Sequence, residues 1–444
     1  MLLVAGAILI VALAYWQVVR DDLANDEGNP RLLERFSDPG RGAILARDGT
    51  VIAESLPDGS RVGYDASYAH LVGYRSARYG SQGAELAYDD ALSGRTRGGW
   101  TGAFDRELLR RNEPGVDVRL TIDPVIQRAA SQALGARRGA VVVLDPRTGE
   151  ILALVSVPTF DPTALDRDGE PLLADPSSPL LNRATQGLYA PGSTFKVVTT
   201  AALLEAGVIA PSDRVTCPGE IVIDGFPISC RNVAQGVGTY AFSDAFAFSV
   251  NAIFAQLGVK LGWSRLEAAA RSLGFESAPG FELETAPARL RRDGDRSTVL
   301  LATTAFGQGE LLATPLQMAL VAAAVAGAGL LPSPRIGAAV AGIPGAAGAP
   351  RRVLAADVAE QLRTLMVAAV NRGQATGLDG AGVVAGKTGT AETGVDGVSH
   401  AWFIGFAPAE APVVALAVVV ENGGRGGEVA APIAGAIFRA VFRR

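Results

Sequence analysis

Five short runs are apolar at nearly every position: residues 140–144 and 151–157 in the first half of the chain, and 383–385, 402–406 and 413–420 towards its end. A strand of alternating character can leave one face to water, but an almost unbroken apolar strand needs cover on both faces. Such a chain must build one sheet from two distant stretches and place helices on either side of it. The polar stretch Asp145-Pro146-Arg147-Thr148-Gly149-Glu150 between the first two runs predicts an antiparallel pair. Helices are available as cover. Leu354, Val358, Leu362, Leu365 and Ala369 recur at helical spacing, and Thr314-Pro315 offers an N-cap followed by a proline at the first helical position. Residues 160–380 are expected to be a mostly helical insert, and the Ala/Gly/Pro-rich stretch 341–350 a surface linker.

Before residue 118 the character differs. Residues 20–117 are polar and rich in Arg, Gly, Asp and Tyr, with a hairpin-like segment at 41–53 that turns at Asp48-Gly49, and read as a small α+β module. Asn112-Glu113-Pro114-Gly115 marks its end. Residues 1–19 carry no charge and are almost wholly apolar from Leu2 to Trp16, close to what a membrane-spanning helix needs. Tyr15 and Trp16 sit where amphipathic rings favour the headgroup zone, and Arg20, Asp21 and Asp22 end the run. The expected division is therefore an anchor at 1–19, a module at 20–117 and a third domain at 118–444. A cleaved signal peptide is the competing reading, because Ala12-Leu13-Ala14 resembles a cleavage site.

Of the 444 residues 48% are hydrophobic and 19% charged, so the chain can bury a large core and is not disordered. A net charge of -5 argues against nucleic acid as the main ligand. Two Cys and two His leave little room for a metal centre, and no cofactor is expected. Cys217 and Cys230 lie close together in a turn-rich stretch, where one disulfide is easy in an oxidising compartment; two free buried thiols are the alternative.

Of 40 basic residues only three are lysines: Lys196, Lys260 and Lys387. Lysine can lose its proton when desolvated, whereas arginine effectively cannot. Lys196 falls one turn after Ser193 in a segment that turns at Pro191-Gly192 and then runs apolar through Val197, Val198, Ala201 and Leu203. A buried amine shifts toward its neutral form, and a neutral amine beside a hydroxyl is a general base beside a nucleophile. The ordinary alternative is a capping serine with a lysine reaching the surface. Lys387-Thr388-Gly389-Thr390 puts an amine, two hydroxyls and a residue without a side chain at the expected end of a strand. Between them stands Ser249-Val250-Asn251. Neither His70 nor His400 suits a Ser-His-Asp triad, and Lys260 is expected to face solvent.

Ser-x-x-Lys, Ser-x-Asn and Lys-Thr-Gly-Thr in that order resemble the signature of the penicillin-binding proteins and serine β-lactamases. Arg41-Gly42, Arg47-Asp48-Gly49, Leu120-Thr121-Ile122-Asp123, Asn182-Arg183-Ala184, Gly307-Gln308-Gly309 and His400-Ala401-Trp402-Phe403 extend the resemblance over nearly the whole chain. The chain resembles a class B penicillin-binding protein, of the penicillin-binding protein A type. The resemblance implies a β-lactamase/transpeptidase-like α/β fold: a five-stranded antiparallel sheet flanked by helices, a largely helical lobe, an α+β pedestal and a transmembrane helix. It implies a peptidoglycan D,D-transpeptidase in which Ser193 attacks a D-Ala-D-Ala stem peptide and forms an acyl-enzyme that an acceptor amine resolves.

Lys196 is then the base, Ser249 with Lys387 the route of the proton to the leaving amine, and Asn251 the residue that holds the substrate amide. The backbone N–H groups of Ser193 and Thr390 form the oxyanion hole, with Gly389 between Thr388 and Thr390, the two residues that bind the terminal carboxylate. The implied partners are stem peptides, β-lactams, the membrane and a membrane-embedded glycosyltransferase, and the implied location is a single-pass protein with its catalytic domain outside the cytoplasm. Ala46 stands where the family often has Asp before Arg47, and Val250 departs from the Ser-Asp-Asn of class A β-lactamases. A D,D-carboxypeptidase or β-lactamase working through the same acyl-enzyme, and a non-catalytic scaffold, are the competing functions.

Overall fold

The computed structural model describes residues 40–63, 65–95, 114–233, 235–292, 294–346 and 348–443. The expected anchor at 1–19 lies outside the described residues, among which no helix is long and apolar enough to cross a membrane.

The central sheet has five strands: β1 (Gly139–Leu144), β2 (Ile151–Val157), β3 (Ala385–Glu392), β4 (Ser399–Ala407) and β5 (Val414–Val420), in the order β3-β4-β5-β1-β2. Every pairing is antiparallel, and the two halves of the chain meet where Val418 faces Val141. Successive side chains of a strand point to opposite faces, and the core divides accordingly. Ala140, Val142, Ala417 and Val419 belong to one apolar layer, and Val141, Val143, Leu416 and Val418 to the other.

The helices include α1 (Pro124–Leu134), α2 (Lys196–Glu205), α3 (Phe242–Phe248), α4 (Asn251–Leu261), α5 (Pro315–Ala326), α6 (Ala356–Arg372) and α7 (Ala430–Phe442), of which α1, α5, α6 and α7 pack on the sheet. α1 and α7 take one face of the sheet, while α5 lies against β1, β4 and β5 on the other. α5 is buried from Pro315 to Val325, as a helix apolar on all sides must be. The N–H of Gln317 donates to Thr314 Oγ1 at 3.1 Å, and Pro315 occupies the first turn, where its missing donor costs nothing.

A second sheet orders Ile343–Pro344, Gly337–Val340, Val118–Leu120, Ile44–Leu45, Val51–Ser55 and Arg61–Val62. Ile44–Leu45 turns back at Asp48-Gly49 and pairs with the strand that follows, and it runs parallel to Val118–Leu120. Two expectations are corrected here. The described residues of 341–350 are exposed, yet the beginning of the stretch folds back as an edge hairpin of this sheet rather than running as a plain linker. Ala and Gly at those positions hide the strand, because its stability comes from backbone pairing and not from apolar side chains. The insert is also less helical than expected: Arg214–Cys217, Glu220–Ile223, Phe226–Ser229 and Gly238–Ala241 form two short antiparallel pairs. A disulfide joins Cys217 to Cys230 at the base of this region.

Candidate active site

Three segments far apart in sequence converge on the end of α2. The first is the turn before it. Gly192 has a positive φ of 53°, and a Cβ there would lie 2.8 Å from the Thr390 carbonyl oxygen, so the turn rests directly on β3. From Gly192 to Phe195 the backbone winds as a 3₁₀ turn, in which residues three apart eclipse, before α2 begins at Lys196. That winding stacks Lys196 on Ser193, and Nζ lies 3.0 Å from Ser193 Oγ.

The second segment is the break between α3 and α4. Ser249 is left-handed (φ 63°, ψ 45°), an uncommon conformation for a residue with a side chain, and Val250 is extended before α4 starts at Asn251. This kink turns three oxygens onto one amine: the Ser249 carbonyl at 2.9 Å, Ser249 Oγ at 2.9 Å and Asn251 Oδ1 at 2.7 Å from Lys196 Nζ.

The third segment is β3, the edge strand of the central sheet. Lys387-Thr388-Gly389-Thr390 lies inside this strand, not at its end as expected, because pairing with β4 continues to Glu392↔Ser399. The apolar pattern stops at Ala385, so side-chain character alone ends the strand too early. Gly389 is required by close approach: a Cβ there would come within 2.9 Å of the Pro191 carbonyl and 3.1 Å of the Trp402 side chain. Thr388 is half-buried and Thr390 exposed, so the outer end of the motif is open to solvent.

The neighbours of Lys196 accommodate a neutral amine. An ammonium has three donors and no lone pair, and a neutral amine has two donors and one lone pair. The Ser249 carbonyl and Asn251 Oδ1 can only accept, which uses two donors. A neutral amine then turns its lone pair to a hydroxyl, and Ser193 is in reach. Lys196 is fully buried, and burial together with the nearby charge of Lys387 holds it well below its ordinary value of 10.5. Lys387, equally deep, is pushed down to about 7 by burial. Its Nζ donates to the Thr388 carbonyl at 3.1 Å.

An aromatic wall, not anticipated from the sequence, encloses both amines. Phe254 of α4 lies 5.1 Å from Lys196 Nζ, and Phe246 of α3 lies 5.9 Å from Lys387 Nζ. Phe242 and Phe246, four residues apart on α3, both pack against Phe254, and that spacing was the signal available. The two histidines serve elsewhere. His70 Nε2 donates to the Pro179 carbonyl at 2.7 Å in a buried site that lowers it to about 4, and His400 Nδ1 accepts from the Asn422 N–H at 3.1 Å. Lys260 is exposed near the end of α4.

The model of the penicillin binding protein transpeptidase domain matches residues 139–439, and that of the penicillin binding protein A dimerisation domain matches residues 41–118. The chain belongs to the penicillin-binding protein transpeptidase family. Over 95% of its length it is 37% identical to the peptidoglycan D,D-transpeptidase PbpA of Mycolicibacterium smegmatis, of which 93% is covered. The structure of penicillin-binding protein A from M. tuberculosis as a ceftriaxone acyl-enzyme complex superposes with a TM-score of 0.84 at 35% identity, covering 92% of this chain and 100% of that one. A chain from a peptidoglycan synthase complex that coordinates polymerization and crosslinking matches with a TM-score of 0.76 at 25% identity, covering 99% and 97%.

Proposed function

We propose that this penicillin-binding transpeptidase is a serine D,D-transpeptidase of peptidoglycan that β-lactams acylate. The observation that carries the reading is the convergence of Ser193, Ser249 and Asn251 on the one buried nitrogen of Lys196. Ser193 Oγ attacks the carbonyl of the penultimate D-alanine while Lys196 Nζ takes its proton. The backbone N–H groups of Ser193 and Thr390 hold the resulting oxyanion. Collapse breaks the peptide bond, the leaving amine takes a proton by way of Ser249 with Lys387 behind it, and D-alanine departs. Asn251 holds the substrate amide, and Thr388 and Thr390 hold the terminal carboxylate.

An acceptor amine then attacks the acyl-enzyme, passes its proton back toward Lys196 and releases Ser193 with a new amide bond. A β-lactam opens by the same first step, but its leaving amine stays tethered and blocks the second. The edge of β3 suits an extended peptide, which can pair with the backbone groups that have no neighbouring strand among the described residues.

The division into 1–19, 20–117 and 118–444 belongs to this reading, with Val118–Leu120 contributed by the catalytic part to the pedestal sheet. So does a membrane anchor at 1–19 with the catalytic domain outside the cytoplasm, supported by the uncharged N-terminal run and by a disulfide suited to an oxidising compartment. A membrane-embedded glycosyltransferase partner is supported by the similarity to the chain from a peptidoglycan synthase complex.

Mass spectrometry of the penicillin-treated protein tests the reading. One penicillin should add to the peptide that contains Ser193, and none to Ser193→Ala. An adduct elsewhere, or none, contradicts it. An adduct lost within minutes favours β-lactamase chemistry.

A further inference from the structure

Three motifs have no part in the chemistry described above: Asn182-Arg183-Ala184, Gly307-Gln308-Gly309 and His400-Ala401-Trp402-Phe403. The structure brings all three to one place, the strap of residues 189–192 that delivers Ser193. Tyr189 is fastened by backbone to Ala313 in both directions, its N–H donating at 3.1 Å and its carbonyl accepting at 2.8 Å. Trp402 Nε1 donates to the Ala190 carbonyl at 3.0 Å, and the Gly192 N–H donates to the Gly307 carbonyl at 2.9 Å. The side chain of Tyr189 makes the remaining tie. Its hydroxyl donates to Glu421 Oε1 at 2.8 Å, while its ring stands edge-on to His400 and Trp402.

Glu421 follows directly on β5 and is itself held. Arg183 Nε donates to Oε1 at 2.6 Å, and Arg138 pairs with Oε2 at 3.0 Å. Arg183 is buried, with its other nitrogens on the Ser177 and Ser178 carbonyls and its backbone N–H on Ser156 Oγ of β2. The carboxylate is thus held by two arginines, and Tyr189 joins it to the strap that carries the nucleophile. Burial and the adjacent Glu421 charge keep the phenol protonated, so it stays a donor.

We propose that Tyr189, anchored by Glu421, is a positioning residue that sets where Ser193 Oγ stands relative to Lys196. The proposal rests on Ser193 being the nucleophile. It does not need Tyr189 to touch substrate. A hydroxyl lost from a charged, mostly buried hydrogen bond should let the strap drift, and small displacements of a reacting group cost rate without costing recognition.

The test is Tyr189→Phe, which removes one oxygen and keeps the ring. Stopped-flow acylation with a chromogenic β-lactam separates the non-covalent dissociation constant from the acylation rate constant. We expect a rate constant roughly tenfold lower, an unchanged dissociation constant, an unchanged pH midpoint and a melting transition close to that of the parent. Glu421→Gln should lower the rate as well, and the double variant should be no slower than the worse single one, since both changes break one link. Should Glu421→Gln fail to fold for want of an Arg183 partner, Tyr189→Phe decides alone. Parental acylation by Tyr189→Phe, or a loss confined to the dissociation constant, overturns the proposal. Failure of the parent itself to acylate at Ser193 would instead overturn the function.

Discussion

Buried basic side chains in the pedestal and in the candidate active site are handled in opposite ways. In the pedestal, Arg41 is almost fully buried against Glu85 at 2.6 Å and Asp89 at 2.6 Å, and Arg61 adds a third ion pair, also to Glu85, at 2.8 Å. In the candidate active site, Lys196 and Lys387 are just as deep, but the hydrogen bonds that hold Lys196 run to hydroxyl, amide and carbonyl oxygens, none of them a carboxylate. A guanidinium keeps its charge and needs acid partners, and once paired it is a structural fastener. An amine left among neutral oxygens can shed its proton, which a base must do before it can take one from serine. On the proposed reading, two of the chain's three lysines stand where charge must be lost.

The largest expected effect comes from exchanging the two chemistries. Lys196→Arg puts a permanently charged group where the lone pair stands, and acylation by penicillin should fall by about three orders of magnitude or more. Lys196→Met run alongside separates lost chemistry from lost folding, since it removes the base without burying a charge. Retained acylation by Lys196→Arg breaks the contrast.

Next is the pedestal. Glu85→Gln leaves Arg41 and Arg61 without their shared carboxylate and should cost roughly 3–5 kcal/mol of folding stability in denaturant titrations. A change below about 1 kcal/mol would mean that the cluster is not a fastener.

The smallest effect has the opposite sign. Burial pushes Lys387 down to about 7 in the fold against 10.5 ordinarily. Between those values the unfolded chain holds a proton that the folded one has released, so stability rises with pH across that window. Below about 7 both states carry the proton, and the cost of burying it is felt in full. Lys387→Met should therefore stabilise the protein by roughly 1–4 kcal/mol in mildly acidic solution and flatten the pH dependence above it, at the expense of activity. A destabilised Lys387→Met variant would contradict the sign.

Much of this was legible in the sequence, for identifiable reasons. Ser193 and Lys196 share a helical turn, and that depends on spacing alone. The β1–β2 pair and the cover from α5 were readable because apolar runs and a Thr-Pro start report local physics. What stayed hidden depends on contacts distant in sequence. Ser249 takes its left-handed conformation from the meeting of two helices, and nothing in Ser249-Val250-Asn251 announces it. β3 continues through Lys387-Thr388-Gly389-Thr390 because β4 pairs with it, not because those side chains favour a strand. The edge hairpin at Gly337–Val340 is held by Val118–Leu120, a partner more than two hundred residues away in the chain.

The central claim is that Lys196 is a neutral amine in the resting protein, and the scarcity of lysine makes it directly measurable. With the ε-carbons of lysine isotopically labelled, the whole chain gives three signals, assignable by replacing Lys196, Lys260 and Lys387 with Met in turn. A heteronuclear NMR titration should find the Lys196 signal at its amine position at neutral pH and Lys387 changing near about 7. A Lys196 signal that stays at its ammonium position until the ordinary 10.5 would contradict the account.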